Sequence, residues 1–575
     1  MTWEQTYEIW DNYEPLEETL KIELLSLKEH THKLEDAFYA PLEFGTAGMR
    51  GIIGVGINRM NQYTIRQATE GLALFMDSLG DETKKRGVAI AYDSRHQSPE
   101  FAMEAAKTLG AHNIPSFVFE SLRPTPELSF AVRQLNTYAG IMITASHNPA
   151  AYNGYKVYGE DGGQMPPKEA DALTSYVRNV ENSLTVAVMP EDELKTKGLL
   201  TILGEDMDQL YLEQVKTVNI NHELIEKMSD KMKLVFTPLH GTGQMLGERA
   251  LTNAGFKGIT VVPEQAVPDP DFSTVKSPNP EDPAAFEYAL RLGKEIDADL
   301  LVATDPDADR LGIAVKTTVG NYEVLTGNQI ASLMLYYLLT VQREKGLSPV
   351  DGVVLKSIVS SELPTAIAEK FGVKMVDVLT GFKFIAEKIK QYEADNGQTF
   401  LFGFEESYGY LVKPFVRDKD AIQALVLIAE VAAYYKEQDK TLYDGLQDIY
   451  HEFGHYQEKT ISITMDGIEG AGKIKELIAK FRKESPREFA GISVECVEDF
   501  EMRERTYKDG TKETINMPSS NVLKYKMVDG SWLAIRPSGT EPKIKFYIGT
   551  FATSASEANR KLGDFEATIE IVVKA

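Results

Sequence analysis

Residues 143–156 read ITASHNPAAYNGYK. The apolar run AGIMIT (139–144) ends there in a serine, a histidine, an asparagine and a proline, with a lysine following at 156. A strand end with polar groups and almost nothing to pack raises the question of what Ser146 is for. The same pattern, a short apolar run opening into a loop of Gly, Ser, Thr, Asp and Pro, returns along the chain. GVAIAY (87–92), KLVFTPL (233–239), DLLVAT (299–304), GVVLKSIV (352–359) and TFLFGF (399–404) are candidate strands. Helical stretches lie between them: PEFAMEAAKTLGA (99–111), DPAAFEYALRLGKEI (282–296) and SELPTAIAEKFG (361–372). Such alternation predicts α/β units. After residue 450 strands follow one another with fewer helices between, which predicts an α+β tail. The expected domains are 1–205, 206–318, 319–450 and 451–575.

Composition sets the class. A chain of 575 residues with 43% hydrophobic and 26% charged residues is an ordinary globular sequence of several domains. The single cysteine, Cys496, cannot form an internal disulfide, and MTWEQTYEIWDNYEP has no signal-sequence pattern, so a reducing, cytoplasmic compartment is expected. The longest apolar run, AIQALVLIAEVAAYY (421–435), is interrupted by Gln423 and Glu430 and is shorter than the ~20 residues of a membrane span. It reads as a buried helix. A net charge of −25 argues against nucleic-acid or anionic-membrane partners, which attract basic surfaces. It leaves small anions open, provided that cations or backbone N–H groups gather at the site.

Ligands of open α/β sheets bind beyond the carboxyl ends of strands, and four loops there carry distinct chemistry. In TASHNPAAYNGYK, Ser146 has the bland reading of a turn or N-cap residue. The stretch is not a G-x-S-x-G elbow, and no nearby carboxylate orients His147, which disfavours a hydrolase triad. A serine that carries a phosphoryl group, with Lys156 beside it, fits better. In ATDPDADRLG (303–312), Asp305, Asp307 and Asp309 alternate, so one turn can aim three carboxylates to one side and hold a hard cation such as Mg²⁺. An EF-hand would need Gly and Glu where Arg310 and Lys316 stand. Arg310 suits an anionic phosphoryl group held beside the ion. GFEESYGY (403–410) presents Glu405 and Ser407 for sugar hydroxyls, though exposed carboxylates at a helix start would look the same. Arg417, Lys419 and Asp420 add to that polar cluster without fixing a role. RPSGTEPKIK (536–545) offers Arg536, Ser538, Gly539 and Thr540 to a phosphate, with Lys543 and Lys545 behind; it is also a good turn, and it is not a Walker A loop.

Together and in this order the four loops resemble those of the α-D-phosphohexomutase superfamily: a T-[AG]-S-H-N-P phosphoserine loop, a D-x-D-x-D-R metal loop, a G-E-x-S sugar loop and an R-x-S-G-T phosphate loop. FGTAGMRG (44–51) is similar to the family's N-terminal arginine segment. The overall length is most similar to the long bacterial phosphoglucomutases and the related phosphoglucomutase/phosphopentomutase group. Phe404 stands where many relatives have Gly before Glu, and lysines rather than arginine follow the phosphate loop. The resemblance implies four domains around a central cleft, three similar α/β domains with mixed sheets and a C-terminal α+β domain. It implies catalysis by Ser146, His147, Arg50 and Lys156, with metal ligation by Ser146, Asp305, Asp307 and Asp309. Glu405, Ser407, Arg310, Arg417, Arg536, Ser538, Gly539, Thr540, Lys543 and Lys545 are the implied substrate contacts. The implied reaction interconverts glucose 1-phosphate and glucose 6-phosphate through glucose 1,6-bisphosphate with Mg²⁺. Phosphopentomutase, phosphomannomutase, a metal-dependent sugar phosphatase and a non-catalytic sugar-phosphate binder are the alternatives.

Overall fold

The computed structural model describes residues 2–45, 48–465, 467–538 and 543–574. Three mixed sheets follow one another. The first holds β1 (Gly48–Ile52), β2 (Val88–Tyr92), β3 (Ser116–Phe119), β4 (Ala139–Ile143), β5 (Tyr152–Tyr158) and β6 (Leu200–Leu203) in the order β1-β5-β4-β2-β3-β6. The second orders β7 (Leu234–Thr237), β8 (Ile259–Val261), β9 (Leu300–Thr304), β10 (Leu311–Lys316) and β11 (Tyr322–Val324) as β11-β10-β9-β7-β8. The third orders β12 (Gly352–Ser357), β13 (Lys374–Val378), β14 (Thr399–Glu405) and β15 (Gly409–Leu411) as β13-β12-β14-β15.

One device repeats in all three. The central strands are parallel, and the strand next to β4, β9 or β14 runs antiparallel to it. The alternation in sequence predicts helices after the polar loops. Instead the serine, metal and sugar loops each join a parallel strand to an antiparallel neighbour, so each loop lies at a strand's carboxyl end and is pinned on both sides. The apolar runs form the strands they predict because both faces are covered: every residue of β2, β4 and β9 is buried.

The C-terminal part has β16 (His455–Thr464), β17 (Glu488–Phe489), β18 (Ile492–Asp499), β19 (Glu504–Tyr507), β20 (Lys512–Thr514), β21 (Leu523–Met527), β22 (Trp532–Pro537) and β23 (Lys543–Ala552). These pair antiparallel, and Ile474, Phe481, Phe565 and Ile569 from two helices form a core with Leu533, Ile535 and Phe546. The four domains are thus three α/β units with mixed sheets and an α+β unit.

One apolar core runs through the first three domains, from Phe119 and Met142 through Phe236 and Leu300 to Val354 and Phe402. The helix Ala421–Glu437 is buried along its length, as the 421–435 run predicts. The two polar residues that interrupt the 421–435 run are used: Glu430 accepts from Asn219, Tyr337 and the Asn221 N–H, and Gln423 accepts from the Lys413 N–H. Among the described residues no helix is long and apolar enough to cross a membrane.

Candidate active site

Ser146 is the first residue beyond the β4 end that leaves the strand path. Its φ of 51° is left-handed, a conformation that costs a non-glycine residue roughly 1–2 kcal/mol. Its N–H donates to Thr144 Oγ1 at 2.8 Å, and its hydroxyl donates to Asp305 Oδ2 at 2.7 Å. The serine and metal loops therefore meet directly. His147 Nδ1 lies 3.2 Å from the same hydroxyl. Burial and then the nearby Arg310 hold the His147 imidazole well below its ordinary range, so it is neutral near pH 7. β1 runs antiparallel to β5 with Arg50 opposite Gly154, which sets exposed Arg50 over the loop; its guanidinium donates to Asn148 Oδ1 at 3.2 Å.

Asp305, Asp307 and Asp309 are buried, with one carboxylate oxygen from each within 4.8 Å of the others. Ala308 between them has φ 49°, the tight turn that folds the alternation into a cluster. The loop is the meeting point of three domains. Lys156 Nζ donates to Asp307 Oδ2 at 2.8 Å, Thr125 Oγ1 donates to the same oxygen at 3.1 Å, and Lys419 Nζ lies 3.0 Å from Asp309 Oδ2. Burial and the neighbouring aspartates push the Asp305 carboxyl up. Burial also works on Asp307, but Lys156 outweighs it and holds that carboxyl below the carboxylate range. Burial works against charge on Lys156, and Asp307 and Asp309 outweigh it and keep the ammonium protonated. Two oxygens, Oδ1 of Asp307 and Oδ1 of Asp309, are buried without a hydrogen-bond partner. Buried acceptors are rarely left so, and an oxygen-only set with spare lone pairs fits a hard cation. The triplet is a divalent-metal site.

The sugar loop is tied to the metal loop by the Leu311 N–H, which donates to the Tyr408 carbonyl at 3.1 Å. Tyr408, with φ 65°, is its left-handed residue. Glu405 is buried and accepts from the Gly381 N–H at 2.7 Å, while Glu406 accepts from Ser357 at 2.8 Å. Burial pushes Glu405 up to about 7 against the pull of Lys419. Ser407 is half-buried in the same turn. Arg310 pairs with Glu281 and lies 3.8 Å from Asp309, at the mouth of the metal loop. The Arg417 guanidinium sits on Glu393 and the Pro414 carbonyl, and the Arg417 backbone N–H donates to Ser129 Oγ, so the residue braces the chain that leads to Lys419.

In the last domain Arg536 and Lys545 face each other across β22 and β23, and the Ser538 N–H donates to the Lys543 carbonyl at 2.7 Å. All four are half-buried. Gly539 and Thr540 lie outside the described residues. Arg536 lies beside Tyr547 of β23, and the positive charge of Lys545 acts on Glu406 in the 403–410 loop.

Sequence reasoning left Lys419 in a polar cluster without a role and passed over Thr125 and Glu281. The sequence showed only that Lys419 stands between Asp418 and Asp420; its burial, to 7% exposure, and its pairing with Asp309 came with the fold. Thr125 and Glu281 carried no signal: docking of the first domain brings Thr125 to Asp307, and the folding of the second domain brings Glu281 to Arg310.

Four family models match in order: phosphoglucomutase/phosphomannomutase alpha/beta/alpha domain I over residues 41–183, domain II over 209–320, domain III over 326–453 and the C-terminal domain over 482–562. A phosphoglucomutase of Staphylococcus aureus (strain MSSA476) is 41% identical over 92% of this chain and 93% of its own. One from Staphylococcus epidermidis is 39% identical over 92% and 94%. Among solved structures, a putative phosphomannomutase from Thermus thermophilus shares the fold with a TM-score of 0.68 at 21% identity, covering 92% of this chain and 99% of that one. The pp63/parafusin phosphoglucomutase of Paramecium in its open form does so at 0.67 and 19%, covering 93% and 95%. With the four domains matched in order and two-fifths of the residues shared with curated relatives along almost the whole length, the chain belongs to the phosphoglucomutase/phosphomannomutase family of the α-D-phosphohexomutase superfamily, whose members are phosphotransferring mutases.

Proposed function

We propose that this enzyme is a phosphoglucomutase that interconverts α-D-glucose 1-phosphate and glucose 6-phosphate through a phosphoserine at Ser146 and glucose 1,6-bisphosphate. The observation that carries the reading is the 2.7 Å contact between Ser146 Oγ and Asp305, at the edge of the buried aspartate triplet. In the forward half-reaction the free 6-hydroxyl attacks the phosphoserine phosphorus, the Oγ–P bond breaks, and the bisphosphate forms. After the bisphosphate turns over, Ser146 Oγ attacks the 1-phosphate, and glucose 6-phosphate leaves a recharged enzyme. Neutral His147 beside the serine oxygen is placed to take the hydroxyl proton, while protonated Lys156 and Arg50 supply positive charge. Asp305, Asp307 and Asp309 would hold Mg²⁺, which supplies charge against the phosphoryl oxygens when bound.

Glu405 and Ser407 hold sugar hydroxyls, with Lys419 close to Glu405. Arg536, Ser538, Gly539, Thr540, Lys543 and Lys545 hold the phosphate that is not reacting, so that remote binding energy positions the reacting end. The single buried Cys496 supports a cytoplasmic setting.

The test is a coupled assay with Mg²⁺ on glucose, mannose and ribose 1-phosphates, with inorganic phosphate release followed in parallel. Glucose 1-phosphate is expected to be converted fastest, without phosphate release. Intact mass should show one phosphate on Ser146, and Ser146→Ala should lower kcat on the order of 10⁴-fold or more. Enzyme stripped of that phosphate should regain activity on adding glucose 1,6-bisphosphate. Full activity of the stripped enzyme with Ser146 still bare sinks the scheme.

A further inference from the structure

Beyond Ser146 the loop between β4 and β5 packs few side chains, with residues 147–152 half-buried or exposed, and Ser146 itself sits in a left-handed conformation. The loop is held instead by one buried guanidinium from another loop. Arg95, in the segment YDSR (92–95) at the end of β2, is only 2% exposed. Its Nη2 donates to the carbonyls of Ser146 at 2.5 Å and Asn148 at 2.6 Å, and its Nη1 donates to those of Pro149 at 2.9 Å and Tyr152 at 3.0 Å. These carbonyls span the loop from the serine to the first residue of β5. The Asp93 carboxylate lies 3.2 Å from Nε, and its other oxygen accepts from the Arg95 N–H and from Ser98. Over the guanidinium face lies Phe272, its ring centroid 4.9 Å from the guanidinium carbon. Phe272 comes from the loop after β8 in the second domain, and His96 next to Arg95 reaches that loop at Asp271, 2.7 Å away.

We propose that Arg95 is a positioning residue for phosphoryl transfer. It ties four carbonyls so that the Ser146 oxygen occupies one point in both half-reactions, and Phe272 completes the clamp only when the second domain is docked. The proposal rests on the reading of Ser146 as the phosphoryl carrier. The planar fork of arginine suits the task, because a lysine ammonium has three donors on a single atom and cannot span the same four acceptors. Arg95 touches neither the aspartate triplet nor the sugar and phosphate loops by any hydrogen bond or ion pair described, so its loss should act on the reacting end alone.

The test compares wild type, Arg95→Lys, Arg95→Met and Phe272→Leu in full-length protein. All should carry phosphoserine by mass. Arg95→Met should lose about 100-fold in kcat, the scale of a small misplacement of a reacting group, while KM for glucose 1-phosphate and the Mg²⁺ activation constant stay within threefold. Arg95→Lys should recover part of the loss. Folded Arg95→Met with kcat within threefold of wild type overturns the proposal, as does a loss in which KM and the Mg²⁺ constant move as far as kcat. Should Arg95→Met fail to fold, Phe272→Leu decides, since it leaves both buried charges in place. It should lower kcat several-fold at an unchanged melting temperature and speed hydrogen exchange over residues 144–152, and unchanged kcat and exchange overturn the idea. Wild type without phosphate on Ser146 is a different result: it removes the carrier role itself and this proposal with it, whereas the kinetic outcomes bear on Arg95 alone.

Discussion

Lys419 and Glu405 show how charge is set one residue at a time. The ammonium of Lys419 lies among Asp309, Asp418 and Glu405, and those carboxylates outweigh burial and keep it protonated. Glu405 is pushed the other way, to about 7, because burial costs its charged form more than Lys419 returns. In the proposed site its carboxylate is the form that would accept hydrogen bonds from sugar hydroxyls, and that form is lost as pH falls through about 7. The value of kcat/KM for glucose 1-phosphate should therefore fall on the acid side of pH 7. Glu405→Gln should flatten that limb and lower kcat/KM at pH 8 by about 10–100-fold, the scale of a hydrogen bond to a charged group. A pH–rate profile that keeps the same acid limb in Glu405→Gln assigns the limb to another group.

At the scale of elements, helix ends and close approaches hold the loops in place. The helix Gly327–Glu344 starts on a Thr326–Gln329 capping box directly behind the sugar loop. A Cβ on Gly327 would lie 2.3 Å from the Glu406 carbonyl oxygen and 2.9 Å from the Tyr408 nitrogen, so backbone packs on backbone there. Gly327→Ala is expected to shift the sugar loop, lowering kcat/KM at least about tenfold and costing about 1–3 kcal/mol in stability. Normal kinetics with wild-type urea unfolding would show that the loop is not set by this contact.

A helix end also carries a pH dependence. His112 caps the helix Ser98–Ala111, with Asp77 2.8 Å from Nδ1 and Glu70 2.9 Å from Nε2. Hydrogen bonding from Glu70 leads in raising its pKa above the ordinary histidine value, against burial. A raised histidine stabilises fully below its unfolded pKa of ~6.5 and loses that contribution as pH rises through the folded value. His112→Ala should cost about 1–2 kcal/mol at pH 6 and clearly less at pH 9, read from urea unfolding at both. An equal cost at the two pH values would leave packing as its only role.

Across the whole molecule the last domain is attached differently from the other three. They share one core, whereas the seam to the last domain is a small cluster of Ile358, Val359 and Leu379 against Phe500, Trp532 and Tyr547. A cavity of about 1110 Å³ opens beside it, lined by Lys374, Asp377, Arg505 and Trp532, and no described residue of the four loops faces it. Buried charges hold the seam. Lys524 donates to the Ile358 carbonyl at 2.8 Å and to Glu362 at 3.2 Å, and buried Lys356 lies 3.3 Å from Glu362 and 3.0 Å from Asp377. In the proposed cycle the bisphosphate reorients between two half-reactions, which would need this domain to swing without detaching. Lys524→Met should loosen it, raising KM for glucose 1-phosphate several-fold. It should also split thermal unfolding into two transitions, the lower from the last domain, since breaking a buried pair costs up to about 3–5 kcal/mol and Glu362 keeps Lys356. One transition with an unchanged KM would rule out this seam as the hinge.

What the sequence alone determined was local. Alternating apolar runs and helical stretches set the α/β units, because side-chain spacing decides which faces can be buried. The aspartate alternation at 305, 307 and 309 announced a cation site, because three carboxylates so close need one. The order of the four loops set the family. Tertiary structure decided what depends on contacts between distant segments. The antiparallel strand after each loop is one such feature, since strand direction is not written in periodicity. The meeting of Ser146 with Asp305, 159 residues apart, is another. Lys419 and Arg95 owe their positions to contacts between distant segments, for a buried cation is placed by the acceptors around it, and most of those lie on other elements.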